Sequence, residues 1–232
     1  MPRRQRHYLP GMPYHVRQRG NNQQACFFEV ADYQHYLDLL SIMLKRYQVS
    51  LHAYVLMTNH VHLLMTAEDK EGISQVMKVV ASRYAYHMNK SYRRTGSLWE
   101  GRHKSSVIDS ERYLLTCYRY IELNPVSAQM VERPEEYLWS SYTANAWGDE
   151  QALVTPHEGY LGLSENVEER LARYRALFAE RLSRSDLDDI RLATHYCQPL
   201  GDDVFRQKIE TMVGRAIGQS RTGRPKKKLV KK

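Results

Sequence analysis

The chain has almost nothing with which to cross-link itself. Its three cysteines, Cys26, Cys117 and Cys197, are scattered and form no CxxC pair. That excludes a disulfide framework and a cysteine-built zinc site, and it fits a reducing compartment. Long apolar runs are missing too. Mean hydropathy is −0.62, and no stretch reaches the length of a membrane span. Met1 to Gly11 is basic without an apolar run, so no secretory signal is expected and the cytoplasm is the expected location. Internal repeats and low-complexity core segments are lacking as well. What is present is a foldable chain of 232 residues, 42% apolar, enough for one well-cored domain and a smaller appendage.

Acidic residues are scarce where basic ones gather. The formal charge is +8, from 34 Lys and Arg against 26 Asp and Glu. The last twelve residues, RTGRPKKKLVKK, carry seven basic groups and no acidic one, so the remainder is close to neutral. A second focus spans 78–104, where Lys78, Arg83, Lys90, Arg93, Arg94, Arg102 and Lys104 face only Glu100. Such clusters attract polyanions, because neutralised phosphates release condensed counterions. Charge runs are more often plain solvated faces. Here Tyr84, Tyr86, Tyr92 and Trp99 are interleaved with the charges and offer flat groups for stacking on bases, which favours nucleic acid over membrane. Arg17 and Arg19 on the first strand, and Arg224, Lys226, Lys227 and Lys228 in the tail, complete the expected DNA-contacting set.

Hydrophobic periodicity predicts the order β-α-β-β-α-β-α. Tyr14 to Arg19 reads as a strand closed by Gly20-Asn21-Asn22. Tyr33, Tyr36, Leu37, Leu40, Leu44 and Tyr47 have helical spacing. Ser50 to Met57 and His60 to Thr66 are β-rich runs joined by a two-residue turn, an antiparallel hairpin. Ile73, Val76, Met77, Val80 and Tyr84 mark a second helix, Lys104 to Ile108 a short strand, and Glu111 to about Leu123 a third helix stopped by Pro125. This order suggests an α+β fold: a ferredoxin-like split βαβ antiparallel sheet with helices on one face. Beyond about residue 150 three further helices are expected, around Val167–Phe178, Leu187–Ile190 and Phe205–Val213. Residues 1–150 are thus read as a catalytic domain, 151–220 as a helical C-terminal extension and 221–232 as a basic disordered tail.

Two local patterns carry chemistry. In Asn59-His60-Val61-His62-Leu63-Leu64 the period of a strand points His60 and His62 the same way, with Val61 and Leu63 in the opposite apolar layer. Two imidazoles so placed can share a divalent ion, although His-x-His also decorates ordinary sheet faces. In Cys117-Tyr118-Arg119-Tyr120-Ile121-Glu122-Leu123-Asn124-Pro125, helix geometry puts Tyr120 and Asn124 within about 40° and roughly 6 Å of each other. Tyr118 lies about 240° from Asn124, and Glu122 also faces elsewhere. Asn-Pro is a common helix stop and helix tyrosines are usually core. Together the patterns suggest more. Two imidazoles and one amide oxygen make three ligands for a Mg2+- or Mn2+-like ion, with positions left open for phosphate. A phenol beside them can attack the polarised phosphodiester and store its bond energy as phosphotyrosine.

These residues resemble the paired signatures of the REP-associated tyrosine transposases, relatives of the single-tyrosine HUH transposases. Pro13-Tyr14-His15-Val16, Arg19-Gly20-Asn21-Asn22, Gly96-Ser97-Leu98-Trp99-Glu100-Gly101-Arg102, Tyr120-Ile121-Glu122-Leu123-Asn124-Pro125-Val126 and Leu138-Trp139-Ser140-Ser141-Tyr142 extend the likeness over about residues 1–145. The resemblance implies a ferredoxin-like fold, Tyr120 as nucleophile, and His60, His62 and Asn124 as ligands of Mg2+ or Mn2+. It implies single-stranded or hairpin DNA of the repeated extragenic palindrome type as partner, a 5′-phosphotyrosine and a free 3′-OH. It places the protein in the cytoplasm, nucleoid-associated when bound to DNA, and leaves monomer or homodimer open.

Other readings remain. A domesticated hairpin-binding protein would keep the fold and lose turnover. An RNA-binding sheet would need paired aromatics where the histidines stand. A metallohydrolase using water would leave Tyr120 dispensable. In the tail, Thr222-Gly223-Arg224-Pro225-Lys226 resembles an AT-hook core, but Thr222 stands where an arginine is usual, and a generic basic tail is the simpler reading. Deleting 221–232 is expected to flatten the salt dependence of DNA binding. An unchanged slope in a salt titration would show that the tail does not touch phosphates.

Overall fold

Alternation along one strand sets the architecture. In a computed structural model describing residues 8–218, strand β3 (His60–Ala67) sends Val61, Leu63 and Met65 into one apolar layer and His62 and Leu64 to the other face. It pairs with β1 (Pro13–Arg19) and β2 (Val49–Met57), and β1 pairs on its far side with β4 (Lys104–Val107). The order is β2-β3-β1-β4, antiparallel throughout. Helices α1 (Val30–Arg46) and α2 (Gly72–Ser91) form the two crossovers, which gives the split βαβ, ferredoxin-like sheet. The tail at 221–232, with Arg224, Lys226, Lys227 and Lys228, lies outside the described residues.

The first face is closed by α1 and α2. Tyr36, Leu40 and Met43 of α1 and Val76, Met77, Val80 and Tyr84 of α2 are buried against Val16, Leu56 and Leu63. Glu29 and Asp32 form a capping box at the start of α1, with the Asp32 carboxylate accepting the backbone N–H of Glu29 at 3.1 Å. The expectation of helices on one face holds for this pair. The other face is covered by α3 (Leu114–Glu122) and by the extension. That face carries Ala53, Val55 and Leu64, whose burial requires a second layer.

The change of phase along β2 has a visible cause. Leu51 packs in the first layer and Ala53 in the second, although strict alternation would put them together. The register shifts between them, a β-bulge at His52. The His52 ring is buried, with Nδ1 against the Thr155 carbonyl at 2.8 Å and Nε2 against Thr66 Oγ1 at 2.9 Å.

After α3 the chain runs through α4 (Asn124–Ser127), α5 (Tyr142–Trp147), α6 (Glu158–Leu161), α7 (Val167–Ala176), α8 (Arg184–Tyr196) and α9 (Asp203–Val213). Three of these match the expected extension helices, and α8 is longer than the spacing of Leu187 and Ile190 suggested. Tyr160, Tyr174, Ile190 and Leu200 share one core with Val55, Leu64, Cys117 and Ile121. Both sheet edges are guarded, one by the segment after α4 and the other by the extension. Leu56 N–H donates to the Trp139 carbonyl at 2.9 Å along β2, and Leu200 N–H donates to the Val107 carbonyl at 2.8 Å beside β4.

One buried carboxylate ties α3 to this second layer. Glu122 Oε1 accepts from Ser141 Oγ at 2.6 Å and Asn145 Nδ2 at 2.8 Å, and Oε2 accepts from the Tyr174 phenol at 2.6 Å. Burial pushes its pKa up to about 7, against the pull of those three donors. Glu122 therefore points away from Tyr120 and locks the helix from behind.

Glu122→Ala strands three buried donors and is expected to cost about 3 kcal/mol in urea unfolding. Glu122→Gln, whose amide can still accept at one end and donate to the Tyr174 oxygen at the other, should lose about 1 kcal/mol. Equal losses would show that the network is not holding α3. A pH effect follows from His52, whose pKa burial holds down to about 4, with the neighbouring His157 acting the same way and the Thr155 carbonyl opposing. Unfolded, the ring takes a proton below about 6.5. Folded, it stays neutral until about 4. Stability is thus lost as pH falls from the first value through the second. Relative to His52→Gln, the wild type should lose up to about 3 kcal/mol between pH 7 and pH 4. A constant difference across urea titrations would contradict this.

Candidate active site

The pleat delivers a row of polar groups to one sheet face. Opposite residues in antiparallel pairs share a face. Arg17 faces His62, Arg19 faces His60 and Lys104 faces Arg17, so His15, Arg17, Arg19, His60, His62 and Lys104 all emerge together. Tyr120 of α3 comes down onto this row. Its ring centroid lies 5.6 Å from that of His15 and 5.6 Å from that of His62, edge-on to both. The rings of His60 and His62 are 5.0 Å apart. Tyr120 meets the histidines, while Tyr118 is buried between Tyr160 and Tyr174.

Asn124 was expected one turn beyond Tyr120, at a helix stopped by Pro125. The helix instead breaks at Leu123 and resumes for one turn in α4, with Pro125 in its first turn. Proline suits a first turn because its φ is already helical and it needs no N–H there. The Asn124 side chain fills the gap: Nδ2 donates to the Tyr120 carbonyl at 2.6 Å and the Ile121 carbonyl at 3.3 Å. This commits the amide nitrogen to the backbone and leaves Oδ1 as the acceptor end of the side chain.

The β2–β3 turn orients His60. Asn59 Nδ2 donates to the Gln23 carbonyl at 3.0 Å, which makes its Oδ1 the acceptor for His60 Nδ1–H at 2.6 Å. Gly20 allows the 20–26 segment to close on this turn. Its N–H donates to the Asn59 carbonyl at 2.8 Å, and an added Cβ would collide with the Gln24 carbonyl and Cys26 Sγ. With Nδ1 of His60 engaged, its Nε2 carries the lone pair.

The electrostatics favour neutral imidazoles. Burial holds the His60 pKa down to about 4, helped by Arg19 and Arg17. His62, 2% exposed, lies well below its ordinary value through burial, then His15 and His60. Tyr120 is 9% exposed. Burial raises its pKa, and the charge and hydrogen bond of Arg191, with Arg17 further off, work in the opposite direction. Lys104 Nζ donates to the His195 carbonyl at 3.0 Å.

The expected DNA-contacting residues separate into groups. Arg17, Arg19 and Lys104 line the histidine face. Lys78 and Arg83 are exposed on α2, in the opposite layer. Arg93 is exposed just past the end of α2, beside the half-buried Arg94, whose guanidinium lies 5.9 Å from the Phe28 ring centroid. Arg102 is exposed in the segment before β4. One continuous basic band along 78–104 is therefore not formed. Sequence reasoning left three site residues without a role. His15 was visible in the alternation His15, Arg17, Arg19. Arg191 and Thr194 of α8 had no local signal.

Among the described residues no three His, Cys, Asp or Glu side chains converge as a metal site. By chemistry, two neutral imidazoles and the oxygen of an amide are donors that suit a divalent cation.

A ferredoxin-like sheet, with a histidine pair facing a tyrosine helix, defines an α+β domain with a candidate site on its second face. Residues 9–124, half of the chain, match the family model described as transposase IS200-like. The chain belongs to the IS200-like transposase family. Among solved structures it is similar to a REP-associated tyrosine transposase bound to a REP hairpin, with TM-score 0.55 and 17% identity over 68% of this chain and 96% of that one. A protein from Deinococcus radiodurans R1, described as a transposase, matches with TM-score 0.35 and 23% identity over 50% of this chain and 94% of the other. No curated protein matches the chain. No described helix is long and apolar enough to cross a membrane.

Proposed function

We propose that this transposase nicks and rejoins single-stranded DNA at palindromic, REP-type hairpins, with Tyr120 as nucleophile. The observation that carries the reading is the placement of the Tyr120 ring 5.6 Å from that of His62, on a sheet face that also carries Arg17, Arg19 and Lys104. The hairpin substrate is suggested by the structural relative bound to one.

The cationic side chains attract the phosphate backbone to this face. His60, His62 and Asn124 would hold a divalent ion, Mg2+ or Mn2+, which when bound supplies Lewis-acid polarisation of the scissile phosphate. Tyr120 Oη attacks phosphorus, the P–O3′ bond breaks, and the proton leaving the phenol is balanced by one taken up on the departing 3′ oxygen. The products are a 5′-phosphotyrosine and a free 3′-OH. Reversal by a 3′-OH rejoins DNA without ATP, because the phosphoester bond is conserved. The positive charge of Arg191, which favours the ionised phenol, stabilises negative charge as it develops there. The domains follow from this reading: 1–150 is the catalytic unit, and 151–220 is a helical layer over its sheet. A domesticated binding protein would share the fold and the hairpin, and the adduct separates the two.

A labelled single-stranded hairpin oligonucleotide with Mg2+ or Mn2+ should give a covalent band on a denaturing gel, removed by chelator. Tyr120→Phe should abolish it, His62→Ala should reduce it by at least about a hundredfold, and Tyr118→Phe should retain it. A band that persists in Tyr120→Phe would defeat the assignment. Hairpin binding with no band in the wild type would favour the silent binding protein.

A further inference from the structure

We propose that helix α8 of the extension is a working part of this site: the Thr194 hydroxyl, acting through His15, fixes His62 in the tautomer whose Nε2 lone pair is free to bind a cation. The inference rests on the metal-binding role given above to His60, His62 and Asn124.

The argument is a proton count along three buried side chains. Thr194 Oγ1 lies 2.8 Å from the Ile190 carbonyl, the back-bond that helix threonines make to the preceding turn. A hydroxyl has one hydrogen, and here the carbonyl takes it. The same oxygen lies 2.8 Å from His15 Nδ1, where it can then only accept, so His15 Nδ1 carries a hydrogen. His15 is almost fully buried, where an uncompensated charge is costly, so the ring carries a single hydrogen and its Nε2 is an acceptor. His15 Nε2 lies 2.6 Å from His62 Nδ1, and the ring planes are within 14° of each other with centroids 4.9 Å apart, the nearly coplanar, edge-to-edge arrangement an N–H···N bond requires. His62 therefore donates from Nδ1, and its lone pair sits on Nε2. The opposite tautomer would require Thr194 to abandon the Ile190 carbonyl inside a buried helix turn.

His60 reaches the same state by a separate route, through Asn59. The two histidines thus present equivalent Nε2 positions, one set by the hairpin turn and the other by α8. Arg191 lies one turn before Thr194 on the same side of α8, and its charge acts on the Tyr120 phenol. Thr194 and His15 are positioning residues. Outer groups of this kind typically tune metal affinity by ten- to hundredfold.

The wild-type chain supplies the first test without any substitution. In long-range 15N–1H spectra of the metal-free protein, His62 should show a pyrrole-like Nδ1 and a pyridine-like Nε2. Thr194→Val should mix the His62 tautomers and weaken Mn2+ binding, read by electron paramagnetic resonance, about ten- to hundredfold. Thr194→Ser should restore both readouts. His60→Ala should weaken Mn2+ binding while leaving the His62 tautomer unchanged. A wild-type His62 protonated on Nε2 overturns the proposal. So does Thr194→Val with an unchanged tautomer or unchanged Mn2+ affinity. If the wild type binds no Mn2+, the metal reading falls, and the tautomer comparison alone decides the relay.

Discussion

Burial of imidazoles on a sheet face is the constraint from which the site follows. A buried histidine cannot hold a proton cheaply, and each ring nitrogen that is not a ligand needs a partner. His62 meets this need through His15, His15 through Thr194, and His60 through Asn59. Each link sits on a different element. The sheet, the hairpin turn and α8 must all be in place before the two Nε2 positions are defined.

The second core layer makes the same point energetically. Val55, Leu64, Cys117 and Ile121 are buried by Tyr160, Tyr174, Ile190 and Leu200. Without that layer the histidine face would be wet, and α3 would lack the Glu122 anchor that sets its rotation. Rotation matters because neighbouring helix residues are separated by about 100°. A helix turned by two positions would present Tyr118 in place of Tyr120. The apolar packing of Tyr118 against Tyr160 and Tyr174 holds the phenol of Tyr120 over the histidines.

The break at Leu123 shows how local chemistry is adjusted to this end. Pro125 removes a backbone donor, and the Asn124 amide supplies one. A dipeptide that reads in sequence as a helix stop is in the structure a break at which a side-chain amide takes the place of the missing backbone donor.

The order of strands and helices and the shared face of His60 and His62 were legible in the amino-acid pattern alone. They depend on periods of two and 3.6 residues, which are properties of neighbouring positions in the chain. The bulge at His52, the coverage of the second face and the partners of His15 were not. Thr194 is 179 positions from His15, and nothing local marks it out from any other helix threonine. Nor does a linear run of basic residues say which of them share a surface. Lys104 ended beside the histidines and Lys78 in the opposite layer, because the pleat and the crossover helix, rather than sequence distance, decide where a charge emerges.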